Sequence, residues 1–82
     1  MQTVFPMTAL SCGQSGVIQS VQLHGAMYER LCDLGFLPGT VVTSLFSSIF
    51  GDPRAYCIRG TVIALRRSDA EQIACICCGG EP

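Results

Sequence analysis

The sequence predicts a mainly β domain: a small barrel of five short strands, with one short helix inserted after the first strand and a one-turn helix before the last. Three observations lead there. Runs rich in β-branched residues recur at the 8–12-residue spacing of short antiparallel strands, separated by Gly- and Pro-containing turns. A single longer segment, residues 26–34, changes from the strand period to the helical one. A chain of 82 residues also buries only about 60–65% of its unfolded surface, so it has material for one compact core and no second domain.

Residues 1–11 read as a lead-in interrupted by Pro6, and "CGQSG" as a turn. "VIQSVQL", 17–23, is the first strand, broken by His24-Gly25. In 26–34, Met27, Leu31 and Leu34 recur at i, i+4 and i+7, with Glu29, Arg30 and Asp33 on the other side. Arg30 and Asp33 are spaced to pair, worth about 0.2–0.5 kcal/mol. A helix this short is unstable alone and must dock, and its apolar stripe suits it to plug one open end of a barrel. Gly35 stands where a left-handed C-cap is wanted, and Pro38-Gly39 reverses the chain.

"TVVTSLFSSIF", 40–50, is the second strand. Its inward face is either Val42, Ser44 and Phe46 or Val41, Thr43 and Leu45. "GDP", 51–53, is a hairpin turn, because Pro53 is barred from a central strand. "AYCIR", 55–59, alternates with Tyr56 and Ile58 on one face, and Gly60 permits a sharp bend into "TVIALRR", 61–67. "SDAE", 68–71, matches a capping box between Ser68 and Glu71 that starts one helical turn. "IACICC" closes the sheet, and residues 79–82 are expected to be a flexible tail beyond a single domain with its core at about 7–77.

Composition narrows the function. Five arginines, no lysine and a net charge of −1 leave no basic surplus for neutralising phosphates, which argues against nucleic acid as a partner. The start of the chain carries no basic, apolar leader, and the longest apolar-leaning run is well short of the roughly 20 residues a bilayer span needs. The expectation is a cytoplasmic protein without direct membrane insertion, its six cysteines reduced. The acidic residues are scattered over turns and helix ends, with no Walker loop, nucleophile elbow or metal-hydrolase signature beside them, which argues against an enzyme.

The order of elements, together with particular words, resembles the FeoA family, ferrous iron transport protein A. The words are "SGVIQSV" at 15–21, "RLCDLGFLPGT" at 30–40, "FGDP" at 50–53, "IRG" at 58–60 and "ALRRSDAEQI" at 64–73. Together they cover about 7–77. The resemblance implies an SH3-like barrel. It also implies a non-catalytic accessory role in ferrous iron uptake, by protein–protein contact with the cytoplasmic part of the membrane transporter FeoB. A similar domain forms the C-terminal part of some iron-dependent repressors. Two features depart from the family pattern: the basic run of the helix is reduced to Arg30, and the tail reads "CICCGGEP".

The candidate sites follow. Partner contact is expected from Arg30 and Leu34 on the helix, Phe36 and Leu37 just beyond it, and Arg59, Arg66 and Arg67 on adjacent strands. Phe36 and Leu37 are either anchors for a partner or a second copy, or core beneath the helix. Cys75, Cys77 and Cys78 are the candidate ligands for Fe(II) or Zn(II), since thiolates suit soft and borderline metals. Against this, alternation puts Cys75 on the face of Ile73, where a thiol is a small hydrophobe, and no second knuckle exists. No cofactor is therefore required. A metal chaperone or sensor using the tail cysteines is the alternative reading, and the lone His24 reads as a solvent-facing loop residue.

Overall fold

The computed structural model of the chain describes residues 3–47 and 49–77. Its elements are β1 (Phe5–Pro6), a 3-10 turn (Met7–Ala9), β2 (Ser15–Val21), α1 (Gly25–Leu34), β3 (Val41–Ser47), β4 (Arg54–Ile58), β5 (Thr61–Leu65), α2 (Arg67–Ala70) and β6 (Ile73–Cys77). The strands form one antiparallel sheet in the order β1-β6-β2-β3-β4-β5. The mainly β class is as expected, with six strands in place of five. The added strand is Phe5–Pro6, which pairs with Cys75 and Ala74. Two residues are too few to show a period, and Pro6 is tolerated because β1 is an edge. The supposed lead-in is therefore structural: Met7 and Leu10 are fully buried.

The core gathers Met7, Leu10, Ile18, Phe36, Val42, Tyr56, Ile58, Ile73 and Cys75 from the strands and connections, with Leu31 from α1. Met27 and Leu34 pack on it from the same helix. The short α1 is thus held by burial of its i, i+4, i+7 stripe, at about 25 cal/mol per Å² of apolar surface removed from water. It ends at Gly35, whose φ of 109° is left-handed and whose N–H reaches the carbonyl of Cys32. Arg30 and Asp33 do not pair; Arg30 lies instead beside Met27 and Leu34 in a groove.

Several boundaries move. β2 lies two residues earlier than expected, and β3 stops at Ser47, leaving Ile49 and Phe50 in the connection that follows. Of the two candidate faces of β3, Val42 and Ser44 point inward; both are fully buried. The β3–β4 register then shifts between Ser44 and Phe46, leaving Leu45 as the extra residue and Phe46 61% exposed. Arg59 belongs to a turn and not to β4. Arg59 and Gly60 have φ of 51° and 81° and join Ile58 to Thr61, a two-residue type I′ hairpin.

The capping box is also corrected. α2 begins at Arg67, so Arg66 is its N-cap, and Ser68 lies inside the helix without a capping bond. The cap comes from the β3–β4 connection: the Arg67 N–H donates to Asp52 Oδ1 at 2.8 Å. Glu71 meets the Arg67 side chain, Nε to Oε2 at 3.3 Å. The Arg66-Arg67 pair thus leaves β5 for the helix start because a carboxylate distant in sequence anchors the helix there.

Candidate docking surface

A groove of about 200 Å³ runs between α1 and the β5–α2 corner. Met27, Arg30 and Leu34 line it from one side, and Ile63, Ala64, Leu65, Arg66 and Asp69 from the other. The helical period places the first three there, at i, i+3 and i+7. Strand alternation turns Ile63 and Leu65 toward the core, while Ala64 faces outward beside an exposed Val62. The floor is apolar and the rim carries two guanidinium groups and one carboxylate.

Arg59 stands at the other end of β5. The stem of Arg59 lies directly against Gly35: a Cβ placed on that glycine would come within 2.5 Å of Arg59 Cδ. Arg59 is thereby held over the C-terminus of α1. The side chains of Arg30, Arg59 and Arg66 are all exposed and make no hydrogen bond or ion pair among the described residues. Three of the five arginines are thus presented around α1 and β5 with their donors uncommitted.

The other two arginines are engaged. Arg54 is half-buried and donates through Nη1 to the carbonyl of Leu10 at 2.5 Å, with Ser44 Oγ at 3.4 Å. It lines a second cleft of about 180 Å³ with Thr8, Gly51, Asp52, Tyr56 and Arg67. Burial raises the pKa of the Tyr56 hydroxyl, and Arg54 opposes that rise. Arg67 faces this cleft and not the α1–β5 groove, and its exposed pair with Glu71 contributes little.

The expected partner residues therefore divide. Arg30, Leu34 and Arg66 converge on one groove, and Arg59 is anchored beside its helix. Leu37 is 40% exposed just past the helix end, whereas Phe36 is 0% exposed and belongs to the core, where it can touch no partner. Missed by sequence reasoning were Met27 and Ile63 as groove floor and Arg54 as a tether. Arg54 gives no local signal, since its acceptor is 44 residues away. The period of 40–50 also gives no sign that Ile49 and Phe50 lie exposed beyond the end of β3.

The cysteines do not assemble a site in the described region. Cys75 is fully buried, and burial pushes its thiol up to about 11, holding it protonated and a poor ligand at neutral pH. Cys77 is exposed at the end of β6, and Cys78, like the expected tail 79–82, lies outside the described residues. Among the described residues no group of three or more His, Cys, Asp or Glu side chains is placed to hold a metal ion. His24 is exposed at the N-cap of α1 without a side-chain capping bond. Among the described residues no helix is long and apolar enough to cross a membrane.

Comparison with known proteins gives this surface its context. The FeoA domain family model matches residues 5–76. A curated Fe(2+) transport protein A/Fe(2+) transporter FeoB fusion protein of Porphyromonas gingivalis is 31% identical over 67 residues, 82% of this chain. The chain spans 8% of that relative's length. Among solved structures, FeoA of Chlorobium tepidum matches with a TM-score of 0.88 at 28% identity, over 95% of this chain and 74% of that one. A zinc-complexed FeoA of Stenotrophomonas maltophilia, described as a procaryotic SH3 domain protein, matches at 32% identity and a TM-score of 0.77, over 87% of this chain and 88% of that one. A manganese-dependent transcriptional repressor shares the fold alone, at 14% identity and a TM-score of 0.81, over 94% of this chain and 43% of that one. The SH3-like barrel, the helix set into it and the continuous match along residues 5–76 lead to one assignment: the chain belongs to the FeoA family.

Proposed function

We propose that this chain is a non-catalytic, cytoplasmic accessory protein of ferrous iron uptake that acts by contact with the cytoplasmic part of the transporter FeoB. The family gives the coarse role, ferrous iron transport. The fusion relative carries the finer one, because there an FeoA-like segment and the transporter share one polypeptide. Such fusion raises the effective concentration of two parts that work in contact. Partner contact suits the residues: a rigid barrel presents Arg30, Leu34, Leu37, Arg59 and Arg66 around one helix. The test is co-purification with the cytoplasmic part of FeoB under anaerobic, reducing conditions, expected to give a stoichiometric complex. Absence of a complex, with unimpaired ferrous uptake after deletion of the gene, overturns the proposal.

A second reading, binding of Zn(II) or Fe(II) through the C-terminal cysteines, is favoured by the zinc complex of the Stenotrophomonas maltophilia relative. The described residues do not fit a closed site, for the reasons given for Cys75. Anaerobic titration with Zn(II) decides it: stoichiometric binding lost on Cys77→Ser establishes the reading, and no binding removes it.

A further inference from the structure

We propose that the free edge of β5 is a strand-addition site, which takes an extended, apolar peptide with an acidic residue at each end. The proposal rests on the accessory reading above and gives its contact a place and a chemistry.

The backbone sets the first condition. Among the described residues, β5 is the last strand of the sheet and pairs only with β4. A two-residue hairpin closes on a hydrogen-bonded pair, here Ile58 and Thr61, and such pairs alternate along an antiparallel ladder. Thr61, Ile63 and Leu65 thus spend their N–H and C=O groups on β4. Those of Val62 and Ala64 point the other way, along an edge where both residues are exposed. Two donors and two acceptors stand in strand geometry without a strand to meet them.

Natural sheets blunt such an edge with lysine, proline, a bulge or an inward-pointing charge. Thr61–Leu65 has none of these, and its pairing with β4 is continuous. The devices are kept elsewhere: β1, at the opposite edge, is two residues long and contains Pro6.

Charge names the occupant. Arg59 stands at one end of β5 and Arg66 at the other, about 17–20 Å apart if the strand rises roughly 3.3 Å per residue, and Arg30 reaches the same groove from α1. One carboxylate, Asp69, shares the rim. Arg59 also sits at a left-handed turn position, where Asn or Gly is the favoured residue. An arginine there costs some local stability, offset by the packing of its stem on Gly35. An added strand would donate to and accept from Val62 and Ala64, place alternate apolar side chains on Ile63 and Leu34, and meet the arginines with its terminal carboxylates. A second copy joined edge to edge would bring like arginine clusters together, which disfavours it as the occupant.

The test uses the full chain, 15N-labelled, and the acetylated peptide Glu-Thr-Val-Thr-Val-Thr-Glu. Expected are selective shifts of the Val62 and Ala64 amides and slowed hydrogen exchange at both. Methylating alternate peptide nitrogens, or replacing both glutamates by lysine, should weaken binding at least tenfold. Ala64→Pro removes an N–H that the ladder does not use, so it should leave the circular dichroism spectrum unchanged and abolish peptide binding. No change at Val62 and Ala64, or equal binding of the methylated peptide, overturns the site. So does a dimer that protects the same amides without peptide. FeoB co-purification is scored separately: a complex that forms equally well with Ala64→Pro refutes the edge and leaves the accessory role standing.

Discussion

Arg54 and Cys75 show how single residues hold this barrel. The guanidinium of Arg54 ties the loop at Leu10 to β4 and lies beside the buried Ser44. Arg54→Met keeps the stem but leaves the Leu10 carbonyl without that donor, and is expected to cost about 1–3 kcal/mol. Urea unfolding measures this; a cost within error would mean that water replaces the arginine fully. Cys75 makes stability depend on pH. Its thiol titrates near its ordinary value of about 9 in the unfolded chain, and near 11 in the folded one. Between these values the unfolded chain has released a proton that the folded chain keeps. The stability Cys75 contributes is therefore complete below pH about 9 and lost as pH rises through about 11. Melting temperatures from pH 7.5 to 11 should fall in wild type and fall less in Cys75→Ala.

At the scale of elements, the joins matter more than the elements themselves. α1 is held by Leu31 and by its left-handed stop at Gly35, against which Arg59 lies. α2, a four-residue helix, borrows its cap from the β3–β4 connection through Asp52. Asp52→Ala is expected to cost about 0.5–2 kcal/mol and to speed amide exchange at Arg67 first. If exchange rises equally across the barrel, the carboxylate is serving the hairpin and not the helix. The capping box read at Ser68 failed because a cap can come from any part of the chain that reaches the helix start. The β3 face was undecidable for a related reason: the bulge at Leu45 breaks alternation partway along the strand.

The whole molecule carries a net charge of −1, yet its cations are sorted by the fold. Arg54 and Arg67 are spent on internal contacts, while Arg30, Arg59 and Arg66 surround α1 and β5. An acidic partner docking there should associate about tenfold more slowly when NaCl is raised from about 0.05 to 0.5 M, because screening removes steering. Arg30→Glu combined with Arg66→Glu should remove most of that salt dependence. Surface plasmon resonance with the cytoplasmic part of FeoB measures both. A rate indifferent to salt would put docking on an apolar surface, such as the exposed Leu37.

What the sequence determined by itself was the class of fold, the single inserted helix and the family, since these rest on local period, turn residues and word order. Alternation from Ile73 pointed to Cys75 as core, but it put Cys77 on the same face, and only the structure separates the buried thiol from the exposed one. Only the tertiary structure decided that Phe36 is inside and Leu37 outside, that Arg59 is turn and not strand, and that Arg66 and Arg67 face different clefts. Adjacent residues of like chemistry carry no local signal that separates them. Their roles are assigned by neighbours distant in sequence, as Asp52 lies fifteen positions before Arg67, and those neighbours are supplied by packing.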